Sequence, residues 1–354
     1  MDSCLRFINW NERLKQFGGN KRVALYGAGK YGRNALENIR KYLPQLEIVC
    51  FLDDNKLRNN GKIEGIEVLS LNEAMEQAGE FHILITNYYI LPVWKRIETC
   101  EFDVDKVFFW SELLIEDFEE TLLKENKEKL EQSYQYLSDY QSKQIFRNMI
   151  EARSTKSIAL FARTCQQNQY FPEDIFHLGR EEVFVDAGAF DGDTIQEFLN
   201  QTGGNYKYIY AFEPDKMNYE KLKNRNFGGN TLIHQAGLYS ETDELCFAAG
   251  KGGSSKIEER ASETIQVYRF DEMELPDQDI TFVKMDIEGS ELSALHGMET
   301  TIKRCRPKLA ICMYHKLEDL WELPLYLKEL VPEYKLYIRN YTTYLDEIVL
   351  YAVV

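Results

Sequence analysis

The sequence predicts an α/β protein with two parallel-sheet domains joined by a helical segment. Apolar runs of strand length alternate with helical patterns in residues 22–86, and the same alternation returns from residue 183 onward. In each series the first strand enters a glycine-rich turn that opens a helix, as in a βαβ unit. Because 354 residues exceed one ordinary core, we expect domains at residues 1–110 and 166–354 and a helical linker at 111–165.

The N-terminal series predicts three strands, at residues 22–26, 48–52 and 81–86, and a helix at 29–43. In the linker, leucine and aromatic residues recur at three- and four-residue spacing with Glu and Lys between them, which indicates two or three amphipathic helices. These helices form either a spacer or a partner-binding coil, and the spacer is the simpler interpretation.

The C-terminal series predicts five strands, at residues 183–186, 208–212, 231–235, 281–286 and 308–314. The last twenty-one residues alternate and then become apolar around a break, which favours a closing antiparallel hairpin. Five strands with helices and a terminal hairpin form the seven-stranded sheet of many enzymes that use S-adenosylmethionine (SAM). Both domains are therefore expected to be Rossmann-like.

Composition excludes several classes of protein. The chain has 58 acidic and 42 basic residues and a formal charge of −16, which disfavours nucleic acid and anionic membrane surfaces as partners. Seven scattered cysteines without a C-x-x-C pair indicate reduced thiols, and no metal site is expected. The first residues lack a signal-peptide pattern, and no apolar run could span a membrane. We expect a cytoplasmic protein without membrane insertion.

The first glycine motif has the spacing of a dinucleotide-binding turn. The segment RVALYGAGKYG places Gly27, Gly29 and Gly32 directly after a strand, and Asp53 follows the second strand. Such a turn lets a pyrophosphate approach the helix N-terminus, and the acid can bind a ribose. The motif indicates either binding of a nucleotide, NAD or a nucleotide-sugar, or a turn kept for packing alone. The segment from residue 48 also resembles small nucleotide-binding domains attached to bacterial sugar-modifying enzymes.

The second glycine motif carries acidic residues that suit a cationic cofactor. The segment VFVDAGAFDGDT ends a strand and opens a helix, and the next strand ends at Glu213, whose carboxylate can accept both hydroxyls of a ribose. Negative charge in this turn suits the sulfonium and ammonium groups of SAM and is unfavourable for pyrophosphate. The predicted cofactor-binding residues of this turn are Asp186, Gly188, Phe190, Asp191, Gly192 and Asp193.

Two further strands end in candidate catalytic residues. Asp286 and Glu288 follow the fourth strand, at the sheet edge where α/β folds bind ligands, and Asp286 can also contact the cofactor. Both carboxylates could instead cap the next helix. His315 follows the fifth strand and is a candidate proton acceptor or acceptor ligand, with a structural hydrogen bond as the alternative. His234 lies within the third strand and is expected to be a core residue.

These motifs together resemble the FkbM-family methyltransferases. The resemblance rests on VFVDAGAFDGDT, YAFEP, AGLYS, VKMDIEGSELSALHG and PKLAICMYHKLEDLWELPLYL, and it covers residue 170 to the C-terminus. The most specific element is K-x-D-x-E-G-x-E. The family implies a Rossmann-like SAM-binding fold and methyl transfer to oxygen, often on a sugar or natural-product hydroxyl. It places Asp186, Gly188 and Glu213 on the cofactor and Asp286 near the reacting centre, and it does not specify a base.

The leading hypothesis is a SAM-dependent O-methyltransferase that acts on a sugar or glycan hydroxyl. One alternative is an oxidoreductase that uses NAD or a nucleotide-sugar at the first glycine motif, although no catalytic set follows that motif. Another is a sensor that binds SAM or a nucleotide without turnover. Methyl transfer to nitrogen or carbon is also compatible with the sequence.

Overall fold

The computed structural model describes residues 21–53, 61–86, 90–110, 118–155, 157–248, 256–257 and 263–354. The chain forms two compact units. The N-terminal unit comprises Met1–Lys127, Gln144–Cys165 and Thr342–Asp346, and the C-terminal unit comprises Glu128–Lys143, Gln166–Tyr341 and Glu347–Val354. Residues 111–165, predicted as a linker, are thus shared between the two units.

The N-terminal unit contains a six-stranded sheet with the order β3-β4-β2-β1-β5-β6. All described pairings are parallel except that of β3 with β4. The strands are β1 (Arg22–Tyr26), β2 (Glu47–Leu52), β3 (Lys62–Ile63), β4 (Ile66–Leu69), β5 (His82–Ile85) and β6 (Val107–Phe109), and the helices between them are α1 (Lys30–Tyr42), α2 (Leu71–Gln77) and α3 (Ile90–Thr99). The helices that follow are α4 (Phe118–Glu125), α5 (Lys127–Tyr136), α6 (Tyr140–Thr155) and α7 (Ala159–Ala162).

Both faces of the N-terminal sheet are buried. On β1, Ala24 and Tyr26 enter one hydrophobic cluster, and Val23 and Leu25 enter another. Because side chains alternate along a strand, a strand buried on both faces must be apolar throughout, as RVALY nearly is. This two-sided burial explains why the predicted parallel sheet with covering helices was confirmed.

The C-terminal unit contains the predicted seven-stranded sheet, with the order β16-β17-β15-β14-β7-β8-β9. Its strands are β7 (Val183–Ala187), β8 (Tyr208–Phe212), β9 (Thr231–His234), β14 (Phe282–Met285), β15 (Lys308–Cys312), β16 (Lys335–Asn340) and β17 (Ile348–Val353). β17 pairs antiparallel with both β15 and β16, whereas the other described pairings of this sheet are parallel, so the terminal hairpin is confirmed. The helices are α8 (Asp193–Thr202), α9 (Lys216–Lys223), α10 (Glu291–Gly297), α11 (Glu299–Cys305) and α12 (Asp319–Leu330).

The C-terminal unit also contains a four-stranded sheet that the sequence did not predict. Its order is β10-β13-β11-β12, with β10 (Gly237–Leu238), β11 (Asp243–Ala248), β12 (Lys256–Ile257) and β13 (Glu263–Tyr268). Two of these strands have only two residues, which is too short to show a period of two. The glycine-rich segment AAGKGGSSK at residues 248–256 predicts a loop near the site, and its residues 249–255 lie outside the described residues.

The order of the seven strands places a ligand site at the middle of the sheet. β7 pairs with β8 on one side and with β14 on the other. The strands that follow β7 in the chain are therefore added first on one side of it, as β8 and β9, and then on the other side, as β14 and β15. Open α/β sheets bind ligands at the carboxyl ends of strands where the order reverses in this way. The second glycine motif follows β7 directly and therefore lies at this position.

Two expectations from composition concern thiols and membranes. All cysteines in the described part of the chain are free thiols. Cys50 and Cys312 are buried, whereas Cys165 is exposed. The described helices include none with the length and apolarity needed to cross a bilayer.

Candidate functional site

A cavity of about 390 Å³ lies at the carboxyl edge of the seven-stranded sheet, and we call it the C-terminal cavity. This volume is within the range of small-molecule sites. Strand ends and the following turns supply most of its lining, and further residues come from β10 and β13 of the smaller sheet, from the loop before β7 and from α9. The lining residues are Gln169, Tyr170, Gly188, Phe190, Asp193, Thr194, Glu213, Pro214, Asn218, Gly237, Leu238, Ile265, Lys284, Asp286, Ile287, Glu288, Ser290, Tyr314 and Glu347.

The glycine turn after β7 is held at close range by its neighbours. Gly188 has φ +80°, and a Cβ atom there would lie 1.9 Å from the carbonyl oxygen of Asp286. Gly192 has φ +87°, and its Cβ would lie 2.4 Å from the Phe227 ring. Side chains are therefore excluded at Gly188 by the backbone after β14 and at Gly192 by core packing. Of the two glycines, only Gly188 lines the cavity.

Glu213, at the end of β8, connects the glycine turn to the cavity. Its Oε2 accepts the N–H of Phe190 at 2.8 Å, and its Oε1 accepts the N–H of Asp215 at 2.9 Å. The side chain is buried yet lines the cavity, and burial raises the pKa of Glu213 to about 7. Because a carboxylate offers about four acceptor positions, two remain for a ligand such as a ribose.

Glu213→Gln is expected to gain stability relative to wild type as the pH rises from 5 to 8.5. A carboxyl whose pKa is raised from 4.5 to about 7 stabilises the folded state below pH 4.5, and this stabilisation is lost as the pH rises through 7. Glutamine stays neutral, so the difference in free energy of unfolding should shift by about 2 kcal/mol. Urea unfolding at several pH values measures this shift, and Glu220→Gln, on the exposed face of α9, is the control that should show none.

The predicted acids of the glycine motif take up different positions. Asp193 lines the cavity, whereas Asp191 lies outside it, 3.8 Å from Arg225. Asp186 is completely buried, and its Oδ1 lies 3.1 Å from Nζ of Lys284. Lys284 also donates to the carbonyl of Gly188 at 2.6 Å. The charge of Asp186 is thus balanced within the protein, and the pair supports the glycine turn.

Asp286, after β14, is the centre of a polar cluster at the same cavity. The Tyr170 hydroxyl donates to Oδ2 of Asp286 at 2.8 Å, and the Tyr314 hydroxyl donates to Oδ1 at 3.4 Å. Nε2 of His315 lies 3.4 Å from the same Oδ1 and 3.7 Å from Oε2 of Glu288. The structure therefore brings together Asp286, Glu288 and His315, the three predicted catalytic residues.

His315 is surrounded by carboxylates. Its Nδ1 lies 3.0 Å from Oε1 of Glu291, which is completely buried and also accepts the N–H of Ile287. Although burial lowers the pKa of His315, the hydrogen bond to Glu291 and the charges of Asp286 and Glu288 raise it to about 9. A protonated imidazole donates hydrogen bonds and cannot accept a proton. With the protein groups alone, this environment suits an acceptor ligand better than a general base.

Sequence reasoning missed Tyr170 and gave Lys284 no role. Tyr170 precedes β7 in a loop, has φ +70°, and lies with its ring 5.2 Å from Nζ of Lys284. A non-glycine residue with positive φ is held there by its surroundings, here in part by the Tyr351 hydroxyl, which accepts the N–H of Tyr170. The only signal for Lys284 was its place in K-x-D-x-E-G. Outside the cavity lining, His234 is half-buried and stacks on Phe212 at 4.9 Å.

In the N-terminal unit, the first glycine motif forms the predicted strand-to-helix turn. Gly32 packs against Gly27, since a Cβ on Gly32 would lie 1.8 Å from the Gly27 carbonyl oxygen. No described atom lies within 4 Å of the Cβ position of Gly29, at the start of α1. Asp53 accepts the N–H of Ala28 at 3.2 Å. Packing thus accounts for Gly32, and a φ of +119° accounts for Gly27, but neither accounts for Gly29 among the described residues, and nucleotide binding at this turn stays a prediction.

A family model described as "Methyltransferase FkbM domain" matches residues 186–342. The match begins at Asp186 and spans Glu213, Asp286 and His315, so the residues of the C-terminal cavity lie almost entirely within it. No curated protein sequence matches the chain.

Among solved structures, the chain is similar to methyltransferase FkbM from Methylobacillus flagellatus KT. The identity is 24%, the TM-score is 0.70, and the likeness covers 98% of this chain and 94% of that one. At this identity the likeness supports the fold, and it extends over residues on both sides of the FkbM domain.

Two further solved structures with lower similarity each align with about half of this chain. They are an rRNA methylase from Streptococcus thermophilus (16% identity, TM-score 0.33, 50% of this chain and 90% of that one) and a SAM-dependent methyltransferase from Aquifex aeolicus (17%, 0.29, 49% and 84%). Both TM-scores lie below 0.5, so neither structure informs the function of this chain.

Proposed function

We propose that this protein, whose residues 186–342 form an FkbM-type methyltransferase domain, transfers a methyl group from SAM to a hydroxyl oxygen of a sugar or glycan. The observation that carries the proposal is the charge of the C-terminal cavity. Its described lining includes one lysine, Lys284, whose charge is balanced by Asp186, and the five carboxylates Asp193, Glu213, Asp286, Glu288 and Glu347. Such a lining attracts a cationic ligand and repels a pyrophosphate.

The residues at one end of the cavity fit the nucleoside of SAM. Glu213 has acceptor positions left for a pair of ribose hydroxyls, and Gly188 presents backbone without a side chain. The Asp186–Lys284 pair fixes the Gly188 carbonyl from beneath. Bound SAM supplies an electrophilic methyl group on a sulfonium ion, and the protein positions that group.

The cluster around Asp286 fits the acceptor. In the transfer, an O–C bond forms, the C–S bond breaks and S-adenosylhomocysteine leaves, while the hydroxyl proton passes to a carboxylate of the cavity. Asp286 is suited to receive it because two tyrosine hydroxyls fix its position. His315 lies beside Asp286, and in its protonated form it can donate a hydrogen bond to the acceptor oxygen. Orientation and proton removal are the main requirements of such a displacement.

Calorimetric titration with SAM, S-adenosylhomocysteine, NAD and a UDP-sugar tests the cofactor assignment. We expect micromolar binding of SAM and its product, reduced at least tenfold in Glu213→Ala because charged hydrogen bonds are lost. Glu220→Ala, on the exposed face of α9, is the control and should bind as wild type does. Binding of NAD in place of SAM would overturn the methyltransferase proposal and favour an oxidoreductase.

The same titration addresses the N-terminal unit. If Gly29 marks a nucleotide site, a second stoichiometric ligand among NAD and the UDP-sugar should bind independently of Glu213, and Gly29→Val should remove it. Release of S-adenosylhomocysteine in a screen of sugar acceptors then separates an enzyme from a sensor that binds without turnover. We place the reaction in the cytoplasm.

A further inference from the structure

We propose that Asp286, Glu288 and His315 form a binding site for a divalent metal ion that prefers mixed oxygen and nitrogen ligands, such as Mn²⁺. Sequence reasoning expected no metal site, because the seven cysteines are scattered without a C-x-x-C pair. The geometry of these three side chains carries the inference of metal binding. Its role, holding the acceptor hydroxyl, rests on the proposed function.

The first observation is an unsatisfied nitrogen. Nε2 of His315 is buried and makes no hydrogen bond within the described structure, and the side chain is only 8% exposed. The carboxylate oxygens nearest to it, on Asp286 and Glu288, are 3.4 and 3.7 Å away, beyond the usual N–H···O range. A buried polar atom without a partner is costly unless a ligand satisfies it.

The distances suit a metal ion better than a hydrogen bond. Around an octahedral ion with bonds of about 2.1 Å, adjacent ligand atoms lie roughly 3 Å apart and opposite ones roughly 4 Å apart. At an ion with such bonds, the separations of 3.4 and 3.7 Å correspond to angles of roughly 110° and 125°, so one ion can contact Nε2 and either carboxylate at angles nearer to tetrahedral than to octahedral. One imidazole with two carboxylates leaves further coordination positions for water or for a substrate hydroxyl.

The second observation is the support behind the imidazole. Glu291 is completely buried, and its Oε1 accepts the Nδ1–H of His315 at 3.0 Å and the N–H of Ile287 at 2.9 Å. A carboxylate on the far nitrogen fixes the tautomer in which Nε2 carries the lone pair, the arrangement commonly found behind metal-binding histidines. Glu291 is thus a positioning residue for the site.

The third observation is the backbone of Glu288. This residue has φ +53°, which costs roughly 1 kcal/mol for a residue with a side chain, and Gly289 follows with φ +91°. The bend aims the Glu288 carboxylate toward His315. In total three carboxylates, counting Glu291, converge on one imidazole, which can neutralise at most one of them. A divalent ion bound to the neutral imidazole offsets two of the three carboxylate charges, one more than the imidazolium does.

Such an ion would hold the acceptor. A hydroxyl bound to it loses its proton more readily, because the positive charge lowers the pKa of a ligating oxygen. The oxygen would then attack the methyl group of SAM from a fixed position, and the proton would pass to a carboxylate of the cavity.

Electron paramagnetic resonance of free Mn²⁺ tests the site, because the signal falls as the ion binds. We expect chelator-treated full-length protein to bind one Mn²⁺ per chain saturably. His315→Gln and Glu288→Gln should each weaken this binding at least tenfold, and Glu291→Gln should weaken it tenfold or more through the imidazole. The exposed His296 supplies the control, His296→Gln, which should bind as wild type does.

Two outcomes would overturn the metal site: no saturable Mn²⁺ binding in wild type, or equal binding in wild type and Glu288→Gln. Since Glu288 is 31% exposed, Glu288→Gln should fold even if His315→Gln does not. If Mn²⁺ instead binds weakly to the acidic surface, more than one ion binds per chain and no variant changes the binding. That result also overturns the proposal. SAM titration of the same preparations separates this failure from failure of the methyltransferase proposal, because the described hydrogen bonds of Glu213 go to Phe190 and Asp215 and not to the metal ligands.

Discussion

Lys284→Met is expected to destabilise the C-terminal unit by about 3–5 kcal/mol at pH 7.5, because it leaves a buried carboxylate without its partner. Lys284 is 2% exposed and Asp186 is 0% exposed, and their charged atoms lie 3.1 Å apart. Burial already raises the pKa of Asp186 to about 6 with the lysine present. Without the lysine, this pKa should rise further, and ionisation at neutral pH should oppose folding.

Urea unfolding measures the decrease in free energy of unfolding, and its pH dependence tests whether the unpaired Asp186 carboxylate causes it. A carboxyl with raised pKa favours the folded state when protonated, so the penalty of Lys284→Met should shrink as the pH falls from 7.5 to 5. The matched control is the double variant Asp186→Leu/Lys284→Met, in which no charge is left unpaired. It should unfold within about 1–2 kcal/mol of wild type, since a buried pair replaced by apolar residues is often neutral. A double variant as unstable as the single one would show that packing, and not the unpaired charge, is responsible.

Much of the fold follows from the sequence because buried parallel strands leave a strong local signal. The run VFVDA of β7 and the run KLAIC of β15 are apolar nearly throughout, and each is bounded by turn residues or a helix pattern. The terminal hairpin was predictable from residues that alternate and then become apolar around a break. The smaller sheet was not, because β10 and β12 have two residues each, and pairing of such strands depends on the rest of the fold.

The residues of the candidate site were predictable only where they lie close together in a single segment of the sequence. Asp286 and Glu288 stand two residues apart after an apolar strand, so their place at the sheet edge follows from topology. Tyr170 lies 116 positions from Asp286, and no local pattern indicates that its hydroxyl reaches that carboxylate. Likewise the sequence shows the acid Asp186 but not that Lys284, on the neighbouring strand, balances its charge. Contacts across strands depend on register, which the chain specifies only once folded.

Gly188→Ala is expected to destabilise the C-terminal unit by about 3 kcal/mol or more and to abolish SAM binding. Two costs add at this position. An alanine at φ +80° is strained by roughly 1–2 kcal/mol, and its Cβ would lie 1.9 Å from the Asp286 carbonyl oxygen. Relief requires the turn after β7 to separate from the end of β14, and that movement displaces both the cofactor side and the acceptor side of the cavity. Thermal unfolding and calorimetric titration with SAM measure the two effects.

Gly204→Ala separates the two costs. Gly204 has φ +76°, almost the same as Gly188, but nothing lies within 4 Å of its missing Cβ. This variant should therefore lose only the roughly 1–2 kcal/mol of backbone strain and should bind SAM as wild type does. Equal losses in the two variants would mean that the approach of Asp286 imposes no constraint. A larger loss in Gly188→Ala, together with lost SAM binding, would show that this glycine keeps the ends of β7 and β14 close enough to form one site.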